Sequence, residues 1–156
     1  MDLKQLYQDI ILEHGKNPRN LGRCEGYNHE AKGHNPLCGD KIHVYLKLDN
    51  RKKVEGLTFE GEGCAISLAS ASIMTELVKK KTFEEAKEIM DAFLKMIKDT
   101  SEIKSNHLDD DQKTKLMSLS GVKKYPMRVK CATLAWHTLT SAITNTQEEI
   151  NTEKFD

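Results

Sequence analysis

Between Lys41 and Leu48 the side chains alternate without a break. Ile42, Val44, Leu46 and Leu48 point one way; Lys41, His43, Tyr45 and Lys47 point the other. A period of two fits a half-buried β-strand and is incompatible with a helix. Asp49-Asn50-Arg51-Lys52 is turn chemistry, and Val54 to Glu60 returns as a second strand carrying Leu57 and Phe59. The pair predicts an antiparallel hairpin, which brings two distant ends together. Cys38 and Asp40 lead into its first strand, and Gly61-Glu62-Gly63-Cys64 leaves its second.

Around the hairpin the periodicity is helical. Leu3, Leu6, Tyr7, Ile10 and Ile11 mark an amphipathic helix over residues 2 to 14, with Asp2 as N-cap and Gly15 as its stop. Asn17-Pro18-Arg19-Asn20 is a turn, and residues 21 to 34 read as loop with one short strand leading towards Cys38. From Cys64 the chain turns helical. The run Ser67 to Ser72 holds only Ser, Ala and Leu, which lets this helix approach a neighbour closely. Thr82-Phe83-Glu84-Glu85 is a capping box opening a further helix, whose buried stripe is Phe83, Ala86, Ile89, Met90, Phe93 and Ile97.

Residues 99 to 124 are polar, with a short helix expected near 109 to 119 and Gly121 ending it. Asp109-Asp110-Asp111 suits the solvated N-terminus of that helix. Pro126 opens the last long helix, and the residues from about Thr146 are expected to fray. There is no repeat and no linker, so one domain over 1–156 is expected. Strands followed by helices predict an α+β fold, a small antiparallel sheet of about three strands with helices packed on one face.

The charge balance narrows the partners. Among 156 residues, 24 Lys and Arg meet 24 Asp and Glu, a formal net charge of zero. That argues against nucleic acid as the main partner. No apolar run is long enough for a bilayer, and Met1-Asp2-Leu3-Lys4 lacks the shape of a signal peptide. A cytoplasmic protein without a membrane partner is expected.

Four cysteines remain to be explained: Cys24, Cys38, Cys64 and Cys131. No C-x-x-C pair exists, so a zinc ribbon or finger is excluded, and any site must be assembled by the fold. Asn35-Pro36-Leu37-Cys38-Gly39-Asp40 sets a thiol two residues from a carboxylate, with Gly39 free to turn the backbone between them. A cation is the simplest neighbour for such a pair. Cys64 opens a helix, where free amides favour a thiolate, and Cys131 lies early in another. With Asp40 these three thiols number four donors, as tetrahedral zinc requires. Two readings stand at this point: a metal site, or buried small hydrophobes at Cys64 and Cys131. Arg128 and Lys130 flank Cys131 and would offset the charge of such a site. Cys24 sits in a polar loop and is read as incidental; His34 and His43 are read as surface or supporting groups, and Trp136 as core.

Three segments carry a resemblance. Asn35-Pro-Leu-Cys-Gly-Asp40, Gly61-Glu-Gly-Cys-Ala-Ile-Ser67 and Arg128-Val-Lys-Cys-Ala-Thr-Leu-Ala-Trp136 are similar, in order, to the three signature segments of the U-type iron–sulfur cluster assembly family, NifU N-terminal and IscU-like. The chain is most similar to the SufU branch of that family. One reason is the added segment at about 99 to 124; the other is Lys130, where general scaffold proteins carry histidine. The resemblance implies a SufE/NifU-like fold and a zinc-dependent sulfurtransferase, a partner rather than a stand-alone enzyme. It implies zinc ligands Cys38, Asp40, Cys64 and Cys131, with Arg128 and Lys130 around them and Cys38 as sulfur acceptor. The implied donor is a pyridoxal-phosphate-dependent cysteine desulfurase of SufS-like type, and the implied recipient is a downstream iron–sulfur scaffold. The alternative is a scaffold on which a [2Fe–2S] cluster, or iron, is held and passed on.

Overall fold

The structure is a computed structural model, and it describes residues 2–98, 103–144 and 149–154. Three strands follow the first helix: α1 is Leu3–Lys16, β1 is His29–Asn35, β2 is Asp40–Leu48 and β3 is Val54–Glu62. The helical half follows, with α2 at Ala65–Val78, α3 at Phe83–Lys98, α4 at Asp110–Met117 and a 3-10 segment at Ser118–Lys124. The long α5 spans Pro126–Thr144, and a short strand, β4, occupies Ile150–Asn151 ahead of a 3-10 turn at Thr152–Lys154.

The fold is α+β as expected. The sheet runs β3-β2-β1-β4, with both long pairings antiparallel. A three-strand sheet is therefore extended by β4, which runs parallel to β1 through Gly33↔Ile150 and His34↔Asn151. Ile42, Val44 and Leu46 are buried on the inner face of β2, as their alternation requires. α5 lies across β1 and β2, and α2 against β3.

The small-residue run of α2 does what its composition suggests. Ser70 Oγ donates to the Ala132 carbonyl at 2.5 Å and accepts from Trp136 Nε1 at 3.0 Å, binding α2 to α5. Trp136 stacks on Phe93 with ring centroids 4.6 Å apart, closing the core between α5 and α3. The Thr82–Glu85 capping box forms in both directions, at 3.0 and 3.2 Å. Asp109 caps α4 through Gln112, so the acidic run begins that helix.

Several boundaries differ from expectation. Gly15 does not stop α1, which continues to Lys16. A Cβ at Gly15 would lie 3.0 Å from the Ala65 carbonyl oxygen, so the glycine serves the close approach of α1 to α2. Gly121 does not end the helical run either, which goes on as 3-10 turns to Lys124. Phe83 is only half-buried, and Met96 joins the α3 stripe in its place. In the segment expected to be an addition, residues 99–102 lie outside the described residues, while Ile103 and Leu108 are buried in the core. The expectation of fraying from Thr146 falls partly on residues 145–148 and 155–156, which also lie outside them. Residues 150 to 154, however, form β4 and the 3-10 turn, because β1 offers β4 an edge to pair with.

Candidate metal centre

The β1–β2 turn and the start of α2 build one end of the sheet. Asn35 and Asp40 face each other as the last pair of the β1–β2 ladder, and residues 36 to 39 form the turn between them. Gly39 takes φ +69°, a left-handed conformation that glycine adopts without strain. Cys38 therefore sits at the tip of a tight turn, half-buried, while Asp40 behind it is fully buried.

β3 ends at Glu62, one residue from Gly63, which has φ +142°. A Cβ at Gly63 would run into the Asp40 carboxylate. That close approach delivers Cys64 as the N-cap of α2, where its backbone N–H donates to Asp40 Oδ1 at 2.8 Å. Cys64 Sγ lies 4.0 Å from Asp40 Oδ2. From above, α5 contributes Cys131, buried, with Sγ 3.3 Å from Cys38 Sγ.

Cys38, Asp40 and Cys131 present ligand atoms that all lie within 4.8 Å of one another, and Cys64 borders them through Asp40. Zn–S bonds of ~2.3 Å set tetrahedral sulfurs about 3.8 Å apart; the 3.3 Å between the Cys38 and Cys131 sulfurs is close to that, while Cys64 lies outside the group of three. Three thiolates and a carboxylate around a divalent ion leave a formal charge of minus two, which calls for cationic or N–H neighbours. Two are present. The Arg128 guanidinium is held more firmly in its charged form by the sulfurs of Cys64 and Cys131 beside it. Asn35, fully buried, donates through Nδ2 to Asp40 Oδ2 at 3.1 Å and to Cys131 Sγ at 3.4 Å.

A hydrogen bond from Cys131 pulls the Cys64 thiol down to about 6, helped by the Ser67 and Ile66 amides of the α2 N-terminus against burial and Asp40. The same bond to Cys64, followed by burial, pushes the Cys131 thiol up. Binding a metal here requires Cys131 to lose its proton.

The other predicted residues lie apart from the sulfurs or beside them. Lys130 turns its ammonium to Glu153, at 3.4 Å. His34 pairs with Glu149 at 3.1 Å, and His43 pairs with Glu30 at 3.1 Å while stacking on Tyr45. Cys24 lies against Gly56, at the far end of the β2–β3 ladder from Glu62. Sequence reasoning assigned no part to Asn35, although it lies inside a signature segment, nor to Gly63. An apolar cleft of about 580 Å³ opens beside Cys38, lined by Ile11, Ile66, Val122, Tyr125 and Met127 among others. Two of its lining side chains are large, apolar and exposed, Tyr125 at 61% and Met127 at 51%, and Leu37, next to Cys38 in the chain, is 52% exposed.

The profile of the NifU-like N terminal domain matches residues 6–132. The chain is a member of this family. Among its U-type relatives, the zinc-dependent sulfurtransferase SufU of Bacillus subtilis (strain 168) is 41% identical over 142 residues, covering 91% of this chain and 92% of its own. The iron–sulfur cluster assembly scaffold protein IscU of Streptococcus pyogenes serotype M1 is 38% identical over 141 residues, covering 90% and 84%. The solved structure of FiSufU from Fervidobacterium islandicum AW-1, a SUF-system protein, superposes with a TM-score of 0.77 at 35% identity, covering 89% of this chain and 97% of that one. Family members of both names thus resemble this U-type chain to similar degrees. Among the described residues, no helix is long and apolar enough to cross a membrane.

Proposed function

We propose that this U-type protein serves iron–sulfur cluster assembly in the cytoplasm as a zinc-dependent sulfurtransferase, taking sulfur from a pyridoxal-phosphate-dependent cysteine desulfurase and passing it to a downstream scaffold. The observation that carries this reading is the unequal placement of the four donors. Asp40 and Cys131 are buried, Cys64 is held at a helix start, and Cys38 alone stands on a turn beside an open apolar cleft. Bound zinc would keep the thiols ionised at neutral pH, held by Cys38, Asp40, Cys64 and Cys131.

In the transfer step, the Cys38 thiolate attacks the outer sulfur of a persulfide on the desulfurase. The new bond is Cys38 Sγ–S, the persulfide's S–S bond breaks, and the desulfurase thiolate leaves with the electron pair. No oxidant or reductant is consumed. Arg128, exposed beside the sulfurs, would steady the negative charge that passes between the two thiolates. The apolar Tyr125 and Met127 of the cleft would shield the exchange from water.

The second reading is a [2Fe–2S] scaffold. It is favoured by the similarity to a relative named for that role and by a donor set that suits iron as well. Desulfurase turnover with and without this protein, together with metal content and colour after anaerobic purification, tests the choice. Colourless protein with one zinc that accelerates turnover is expected. A brown protein with a transferable cluster and no effect on turnover would favour the scaffold.

A further inference from the structure

The two sulfurs that lie 3.3 Å apart, Cys38 and Cys131, receive different hydrogen bonds. Cys131 Sγ accepts the Asn35 side-chain amide at 3.4 Å. Among the described residues the Cys38 sulfur receives no amide N–H. An N–H directed at a thiolate withdraws electron density from it, so the sulfur becomes a weaker nucleophile and a more settled ligand. Asn35 can do this in only one orientation. Its other partner is Asp40 Oδ2 at 3.1 Å, an acceptor when ionised, so the NH₂ group must face the site and the carbonyl must face away.

What the carbonyl faces is Thr152, whose hydroxyl donates to Asn35 Oδ1 at 2.9 Å. Both residues are buried, so no solvent competes for that bond. Thr152 arrives there by register. β4 pairs Ile150 with Gly33 and Asn151 with His34, and the next residue falls beside Asn35. Glu153 then fastens the segment to α5 through Lys130, one residue before Cys131. The C-terminal strand is thus tied to both elements that carry the Asn35–Cys131 contact.

We propose that Thr152 is a positioning residue: by fixing the Asn35 amide it keeps Cys131 quiet and leaves Cys38 as the sulfur that reacts with electrophiles. This rests on the reading of Cys38 as sulfur acceptor, yet it is tested without a desulfurase. The zinc-loaded full chain is treated with iodoacetamide, and the modification rates of Cys38 and Cys131 are read from peptide masses, with zinc content measured on the same samples. Cys38 should react faster. Thr152→Val, which keeps the shape and removes the donor, should narrow the Cys38-to-Cys131 ratio by about tenfold. Thr152→Ser should restore it, which a role in packing alone would not produce.

An unchanged ratio in Thr152→Val, or a Thr152→Ser that behaves like Val, overturns the proposal. Should Thr152→Val not fold, the wild-type chain decides. The Asn35 side-chain amide should exchange slowly with solvent in NMR, and an amide exchanging at the free rate overturns it. A chain holding no zinc would sink the functional reading instead. The ratio would then be read on the metal-free chain, where the Asn35 contact is present and the same ordering is expected.

Discussion

At Gly63 the backbone takes φ +142° directly against Asp40, and the carboxylate fills the space a side chain would need. Gly63→Ala therefore meets both backbone strain and a collision with a proposed ligand. A stability loss of about 1–3 kcal/mol is expected, accompanied by loss of zinc. Thermal unfolding and metal analysis of the same preparation would check it; full zinc occupancy in Gly63→Ala would contradict the role given to that contact. At this scale the sequence was most legible where chemistry is dense. Cys38, Asp40, Cys64 and Cys131 stand in short motifs, and the hairpin logic brings three of them to one place. Asn35 was legible only as a motif letter, because its part depends on a carboxylate, a sulfur and a hydroxyl from three separate segments. Thr152 had no signal at all: a threonine near the end of a polar stretch becomes meaningful only once β4 pairs with β1.

Elements that carry a period, a cap or a helical run were legible, and strands built on small or polar residues were not. The alternation of β2 and the capping box of α3 gave their elements directly. The sequence shows β1 only as a short strand within a loop because its inward positions include Ala31, Gly33 and Asn35, which carry little hydrophobic signal. α1 was found, but what holds it to α2 was not. His14 is buried on α1, 2.7 Å from Ser72 Oγ and 3.5 Å from Glu76. Burial, then the Arg19 charge, lowers its pKa below the ordinary 6.5. The unfolded chain thus takes up a proton near that value while the native state resists it. Stability should fall as pH drops from about 6.5 towards the lowered native value. Urea unfolding at two pH values on either side of 6.5 should show a larger loss for wild type than for His14→Gln; equal losses would mean that His14 is not the group responsible.

The molecule as a whole is a small sheet whose open end is sealed by a helix start, a turn and one long helix, with the thiols at the seam. α5 bears on this arrangement twice, burying Trp136 in the core and offering Cys131 to the site. The overall class was readable from the order of strands and helices, whereas the closing of the sheet by β4 was not, since two residues of Ile-Asn carry no pattern. On the proposed function, Cys38 is the thiol that accepts sulfur while Asp40, Cys64 and Cys131 are retained. The measurement that tests it most directly is peptide mass spectrometry after the zinc-loaded protein has reacted with a cysteine desulfurase and cysteine, with Cys38→Ser and Cys24→Ser in parallel. The expected result is an added sulfur on the Cys38 peptide, no accepted sulfur in Cys38→Ser, and wild-type behaviour in Cys24→Ser. An adduct carried mainly by Cys131 or Cys24, or undiminished acceptance by Cys38→Ser, would contradict it.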